Sequence, residues 1–262
     1  DRFRHFGNAA EYCNVTQPTL SAMIQKLEDE LGVKIFDRKM HPLEPTHIGK
    51  IVLEQARTAI LSSNHIKDII NEQQNSLAGT LNLGILPTIA PYLIPRFFPQ
   101  MMNKHPEMDV RITEMKTEDI KEAMRKGDID IGIVADLDGM DDFEKIHLYY
   151  EELFVYVSPN NKLISYDKIK GNDLNSEFLW LLGEGHCLSQ QMQRFCHLKN
   201  AVRSQHMYHL GSIETFMRIV EGGRGVTFIP ELAATQLAEN KRKLIRQFAI
   251  PTPTRDVIII TP

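Results

Sequence analysis

Residues 17–32 read QPTLSAMIQKLEDELG, and this stretch decides the fold of the N-terminal third. Thr16 stands before it as an N-cap, and Pro18 falls in the first turn, where a missing N–H costs nothing. Leu20, Ile24, Leu27 and Leu31 recur at i, i+4, i+7 and i+11, which predicts a helix with one buried stripe, stopped by Gly32. Gln17, Thr19, Ser21 and Gln25 then face away from the stripe. Upstream, FGNAAEYC (6–13) forms a short helix around Ala9 and Ala10, broken by NVT. Downstream, VKIFDRKMHPLEPT (33–46) reads as two short strands around a Pro-containing turn. Two helices and a hairpin in this order predict a winged helix-turn-helix. Its second helix would offer Gln17, Pro18, Thr19, Ser21 and Gln25 to the edges of bases in double-stranded DNA, with Arg38 and Lys39 of the wing toward phosphates. An ordinary solvated helix face is the competing reading, and the wing favours DNA.

Charge does not settle that choice. Residues 1–78 carry 9 Lys+Arg against 10 Asp+Glu, far from the basic footprint of a strong DNA binder. The acidic residues bunch at Glu28, Asp29 and Glu30, away from the proposed groove end. Modest intrinsic affinity of this kind calls for a dimer. The next segment offers the means: Thr46 to about Asn75 lacks Pro, and Val52, Ala56, Ala59, Ser63, Ile66 and Ile70 repeat at alternating spacings of four and three. This is a seam on which a second chain could pair, although a long helix packed on its own domain fits the pattern too.

From Gly79 the pattern alternates. LNLGIL (81–86), DVRITEM (109–115) and IDIGIV (129–134) read as strands, with helices over 91–105 and 117–127 between them, a βαβαβ run that implies a parallel sheet. A second block follows, with strands LFVYVS (153–158), FLWLL (178–182) and GVTFIP (225–230) and helices over 212–223 and 231–240. VIIIT (257–261) could return to the first block. The expected fold is a winged helix-turn-helix plus a long linker helix, followed by two α/β lobes of periplasmic-binding-protein type. The expected boundaries are 1–45 for the DNA-binding domain, 46–77 for the linker and 78–262 for the rest. Lobe I takes about 78–157 and 255–262, lobe II about 158–254.

The whole chain has 262 residues, 42% hydrophobic and 24% charged, with net charge −4 and three cysteines. No apolar run is long enough for a membrane span and no secretory signal opens the sequence, so a cytoplasmic setting with reduced thiols is expected. The sequence begins without Met and stops just beyond VIIIT, so terminal segments of a longer protein are expected to be missing. In GHCLSQQMQRFC (185–196), Cys187 and Cys196 lie nine positions apart on a stretch that reads as helix. On one helix their Cα atoms would be roughly 13 Å apart, whereas a disulfide tolerates about 4.4 to 6.8 Å. They are therefore either two unrelated buried cysteines or the ends of a conformational switch. Cys13, beside Ala9 and Ala10, reads as buried and inert.

The stretch FGNAAEYCNVTQPTLSAMIQKLEDELGVKIFDR resembles the winged-helix domain of LysR-type transcriptional regulators, and the resemblance covers nearly the whole chain. Through LPTIAPYLIP, EMKTEDI, GEGHCLSQQMQRFC and SIETFMRIVEGGRGVTFIP it is similar to the hydrogen-peroxide-sensing branch of that family. The resemblance implies a DNA-binding regulator and not an enzyme, in which peroxide oxidises Cys187 and Cys196 resolves it into a disulfide. Thr88, Thr117 and His186 match residues of the peroxide pocket. The implied partners are promoter DNA, hydrogen peroxide, further copies in a homodimer or homotetramer, RNA polymerase, and a thiol reductant that resets the switch. No cofactor and no metal is implied. Where relatives carry a charged residue soon after the reactive cysteine, this chain has Ser189, Gln190 and Gln191.

The residues give their own account beside the resemblance. Cys187 follows a GEGH turn and should sit in the first turn of a helix, where unpaired N–H groups favour a thiolate. Thr88 and Thr117 offer hydroxyls to peroxide oxygens, and His186 could donate to the leaving oxygen. Equally, Thr117 could be only an N-cap, Thr88 only a strand end and His186 only structural. Two other readings of the pair are a metal site of His186, Cys187, Cys196 and His197, with the wrong spacing for one, and a thiol peroxidase, which needs neither wing nor long helix. A LysR-type regulator responding to a small metabolite in the interlobe cleft is the remaining alternative.

Overall fold

The computed structural model describes residues 3–73, 79–137, 139–175, 177–183, 186–196 and 212–262. The chain divides into two compact units, Asp1–Ser76 and Leu77–Pro262. No helix among the described residues is long and apolar enough to cross a membrane.

The first unit runs α1 (Phe6–Tyr12), α2 (Gln17–Leu31), β1 (Phe36–Asp37), β2 (Glu44–Pro45) and α3 (His47–Gln73). Thr16 caps α2 by accepting from the Thr19 N–H, and Gly32 ends it in the left-handed conformation at φ 69°, where a side chain would be strained. β1 and β2 pair antiparallel, closing the wing. The apolar stripe of α2 is only half used. Leu20 and Ile24 are partly buried, but Leu27 and Leu31 stay 43% and 48% exposed, and the one fully buried residue of the helix is Glu28. The cause is the hairpin: Glu28 Oε1 accepts from the Ile35 and Phe36 N–H groups at 2.8 and 3.1 Å, and Oε2 faces Lys34 at 3.2 Å and Arg38 at 3.6 Å. A carboxylate that satisfies two backbone donors outranks an apolar side chain at that position.

Cys13, expected to be buried, is exposed. The helix ends at Tyr12, so Cys13 serves as its C-cap and projects beyond the packed face. α3 spans 27 residues, about 40 Å at 1.5 Å per residue. Along the expected seam, Val52 is partly buried and Ala56, Ala59 and Ser63 are exposed. The side chains of Ile66 and Ile70, and residues 74–77 of the expected linker, lie outside the described residues.

The second unit continues with β3 (Gly79–Ile85), α4 (Ala90–Lys104), β4 (Met108–Glu114), α5 (Thr117–Arg125), β5 (Ile131–Ala135), β6 (Glu144–Val157), β7 (Lys168–Ile169), β8 (Leu179–Trp180), α6 (Cys187–Phe195), α7 (Ile213–Glu221), β9 (Val226–Pro230), α8 (Glu231–Gln236), α9 (Glu239–Arg242), β10 (Ile245–Phe248) and β11 (Thr254–Thr261). β4, β3 and β5 are parallel neighbours, the arrangement a βαβαβ run demands. β11 returns antiparallel against β5. Gly132 on β5 permits this layering, since a Cβ there would come within 2.7 Å of Ile120 and 2.8 Å of Ile260.

The two lobes share one strand. Glu144–Glu152 of β6 pair with β11 in the first lobe, while Leu153–Val157 pair with β9 in the second. The chain therefore crosses between lobes inside β6, around residues 152–153, and not after residue 157. Each lobe keeps its own core: Leu83, Ile85, Ile120, Met124, Val134 and Ile258 in the first, Leu153, Val155, Phe216, Val220, Ile229 and Phe248 in the second.

Candidate functional site

α6 joins the two cores. Cys187, its first residue, is buried in the first lobe's cluster, and Cys196, its C-cap, is buried in the second lobe's cluster beside Leu188 and Met192. Both thiols are free. Nine residues of helix hold them roughly 13 Å apart along the axis. Leu188 and Met192 are buried, as expected, and Phe195 packs against the second core from a partly exposed position. Glu184 and Gly185 of the turn before the helix lie outside the described residues. His186 is the N-cap, but its side chain makes no capping hydrogen bond. Burial, and then the Lys116 charge, lower its pKa below the ordinary imidazole value, so at neutral pH it is a neutral ring.

A cavity of about 230 Å³ opens beside Cys187, lined by Thr117, Glu118, Leu137, Met140, Gln190, Gln191 and Arg194. Thr117 is the first residue of α5 and Lys116 its N-cap, so the threonine is not the capping group. Its Oγ1 is buried without a hydrogen-bond partner of its own and lies close enough to the sulfur to favour the thiolate. Gln191 donates from Nε2 to the Thr254 carbonyl at 3.1 Å. That bond fixes the amide and leaves its buried Oε1 unpartnered. Ser189 is spoken for, its Oγ donating to the Leu182 carbonyl at 2.9 Å.

Thr88 reaches the site through Arg255. The guanidinium donates from Nη1 to Thr88 Oγ1 at 3.0 Å, from Nη2 to the Thr88 carbonyl at 3.1 Å and from Nε to Glu151 Oε2 at 2.6 Å. Arg255 and Glu151 are both 2% exposed, and Glu151 Oε1 accepts from the Leu232 N–H at the start of α8. Burial pushes the Cys187 thiol up. Arg255, the Leu188 N–H, Thr117 and the residue's own N–H pull against that without overcoming it. The helix N-terminus thus acts in the expected direction, but burial outweighs it. Cys196 has no such counterweight, and burial alone lifts it to about 12.

Sequence reasoning missed Arg255, Glu151 and the cavity wall of Leu137 and Met140. For Arg255 a signal was present: in TRDVIIIT the charge falls in phase with Val257, on the side of β11 that turns inward. Among the described residues no group of three or more His, Cys, Asp or Glu could hold a metal ion. His197, named in the metal reading, lies outside them.

In the first unit, Gln17, Pro18 and Thr19 are exposed at the start of α2, while Ser21 and Gln25 are partly buried. Gln25 donates to Asp29 at 2.6 Å. Arg38 donates to Ser21 Oγ at 3.2 Å and lies over the Phe6 ring. The wing arginine and the helix serine are therefore tied together at one surface.

Two family models match the chain: the bacterial regulatory helix-turn-helix protein, lysR family, over residues 1–50, and the LysR substrate binding domain over residues 74–262. A Haemophilus influenzae protein named hydrogen peroxide-inducible genes activator is 32% identical over 98% of this chain and 85% of its own length. Among solved structures, a full-length OxyR variant from Pseudomonas aeruginosa superposes with a TM-score of 0.79 at 32% identity, covering 98% of this chain and 86% of that one. Reduced OxyR from Porphyromonas gingivalis gives a TM-score of 0.63 at 40% identity over 70% of this chain and 84% of that one.

Proposed function

The chain belongs to the LysR family of bacterial helix-turn-helix regulators, in its OxyR-like group of hydrogen peroxide-inducible activators, and from that premise we propose that Cys187 senses peroxide and Cys196 locks the response. The family consists of DNA-binding transcription regulators, not enzymes. The observation that carries the proposal is the placement of Cys187 in the wall of a cavity, with the Thr117 hydroxyl close to its sulfur and the Gln191 carbonyl oxygen buried without a partner. Hydrogen peroxide brings two O–H donors and two acceptor oxygens to those groups.

The chemistry balances in two steps. The Cys187 thiolate attacks one peroxide oxygen, the O–O bond breaks, and hydroxide leaves and takes up a proton to become water. The Cys187 sulfenic acid then condenses with the Cys196 thiol, releasing a second water and forming the disulfide. Arg255 favours the thiolate from its buried position, and neutral His186 is suited to donate a hydrogen bond rather than to carry charge. Since the two cysteines stand in different cores, the bond forms only if α6 gives up its helical hydrogen bonds. A dithiol reductant would reverse it by exchange.

The output is promoter binding. Gln17, Pro18, Thr19, Ser21 and Gln25 would meet base edges and Arg38 the phosphates, in a homodimer or homotetramer that meets RNA polymerase at the promoter. Treatment of the reduced protein with stoichiometric hydrogen peroxide, followed by peptide mass spectrometry, should link Cys187 to Cys196 while Cys13 stays reduced. Cys187→Ser should abolish both the link and any peroxide-dependent change in the DNA footprint. Cys196→Ser should give a trappable sulfenic acid that over-oxidises to sulfinic acid. A Cys187→Ser variant that still answers peroxide, or a Cys196→Ser variant that forms no sulfenic acid, overturns the assignment.

A further inference from the structure

The Cys196 end of α6 rests against a residue that has no side chain. Gly171 opens a short 3-10 turn, Gly171–Leu174, just after β7. A Cβ placed on it would stand 3.1 Å from the Cys196 Cα and 3.6 Å from the Cys196 Cβ and carbonyl oxygen. Carbon atoms in contact keep about 3.5 to 4.0 Å, so any larger residue at 171 presses on the backbone of the cysteine. The turn is braced against giving way. Ile169 before it and Leu174 at its end are wholly buried, and the Ala249 N–H donates to the Ile169 carbonyl at 2.8 Å. Within the turn, the Lys170 N–H donates to Asp173 Oδ2 at 2.8 Å and the Asp173 N–H to the Lys170 carbonyl at 3.0 Å. Cys196 is held more lightly from its own side, as the C-cap of α6, with its N–H donating to the Met192 carbonyl at 3.0 Å. Burial there lifts the thiol to about 12, so it turns nucleophilic only once it has left the core.

We propose that Gly171 is a positioning residue for disulfide formation: having no side chain, it gives Cys196 its resting place in the second core, and how firmly Cys196 rests there sets how fast and how completely it captures the oxidised Cys187. This rests on the peroxide-sensing reading above. In the step concerned, the Cys196 sulfur attacks the sulfur of the Cys187 sulfenic acid, the S–O bond breaks, and the hydroxide that leaves takes the Cys196 proton to become water. The first oxidation, at the other end of the helix, does not involve Gly171. Crowding the resting place raises the free energy of the reduced, helical state but not that of the disulfide state, from which Cys196 has gone. It therefore both speeds closure and favours the oxidised form.

The test treats the full chain with hydrogen peroxide under rapid quench, with peptide mass spectrometry reading the Cys187 sulfenic acid and the Cys187–Cys196 link separately, and then equilibrates it in glutathione buffers. In Gly171→Ala, sulfenic acid should form at the parent rate and convert to the disulfide at least fivefold faster. The dithiol–disulfide equilibrium should move at least tenfold toward the disulfide, about 30 mV for a two-electron couple. Val220→Ala, which loosens the same core from α7, should change neither conversion nor equilibrium. Leu174→Ala, which unpins the turn, should act in the direction of Gly171→Ala, and it replaces that variant if alanine at 171 prevents folding. Conversion and equilibrium that stay at the parent values, or that Val220→Ala shifts as far, overturn the inference and leave peroxide sensing standing. Sulfenic acid that forms at Cys187 in none of these proteins, the parent included, overturns both.

Discussion

Arg255 commits three of its five N–H donors, one to Glu151 and two to Thr88, and its charge is felt at Cys187. Glu151 therefore competes with the thiolate for one buried cation. Replacing it with glutamine keeps the shape and an acceptor oxygen but removes the competing negative charge. In Glu151→Gln the Cys187 pKa should fall, measured as the pH dependence of iodoacetamide alkylation in a background without Cys13 and Cys196. A pKa that stays put or rises would mean that Arg255 is not coupled to the sulfur. A buried guanidinium left without its counter-charge should also cost the domain about 3 kcal/mol, visible as a lower midpoint in urea. That Thr88 and Cys187 are linked, through Arg255 rather than through a shared cavity wall, could be suspected in the sequence only through family resemblance. The residue that connects them is 68 positions beyond the cysteine and announces itself only by the phase of one charge on an apolar strand.

α6 presents the same problem as an element. Its start at Cys187 followed from the turn before it, as did the conflict between a nine-residue separation and disulfide geometry. What spacing could not reveal is that its two ends are anchored in different cores, so the proposed disulfide would draw on the packing of both. Amides of residues 188–195 should lose hydrogen-exchange protection on oxidation while β3, β5 and β9 keep theirs. Equal protection in both redox states rejects melting of the helix. α2 teaches the converse lesson. Its apolar periodicity promised burial for Leu27 and Leu31, and a carboxylate took the inner position because β1 needed an acceptor. Burial raises the Glu28 pKa, but the Phe36 and Ile35 N–H groups and Lys34 more than offset it, leaving it below the ordinary 4.5. A depressed carboxylate contributes stability above its unfolded pKa and loses it as the pH falls through the folded one. Glu28→Gln should therefore destabilise the first unit by about 2 kcal/mol at neutral pH, and the difference from the parent should shrink as the pH drops below 4.5. A gap that does not depend on pH would show that the charge is irrelevant. Thermal melts across the acid range measure it.

At the scale of the whole molecule, the small and nearly balanced charge of residues 1–78 makes a single copy a weak DNA ligand. Pairing through α3 would present two reading heads at once, so that binding of the first raises the effective concentration of the second. Ala56→Glu with Ala59→Glu, which places like charges on both sides of the seam, should leave the protein monomeric in sedimentation and weaken operator binding at least a hundredfold. The proposed disulfide should form as fast as in the parent, since the seam belongs to the other compact unit. Dimers that persist in this variant would move the interface elsewhere. The division into a reading head, a long helix and an α/β body could be foreseen from periodicity, because each has a different apolar repeat. The way the body is stitched together could not, for a strand that serves two sheets looks like any other run of alternating residues. That strand, β6, has a hereditary consequence. The first lobe does not own a contiguous stretch of gene: it needs the eight residues of β11 from beyond the second lobe, and a cut between residues 152 and 153 divides a strand that both lobes use. Recombination between relatives can exchange the reading head as a cassette, whereas the two lobes must be inherited together.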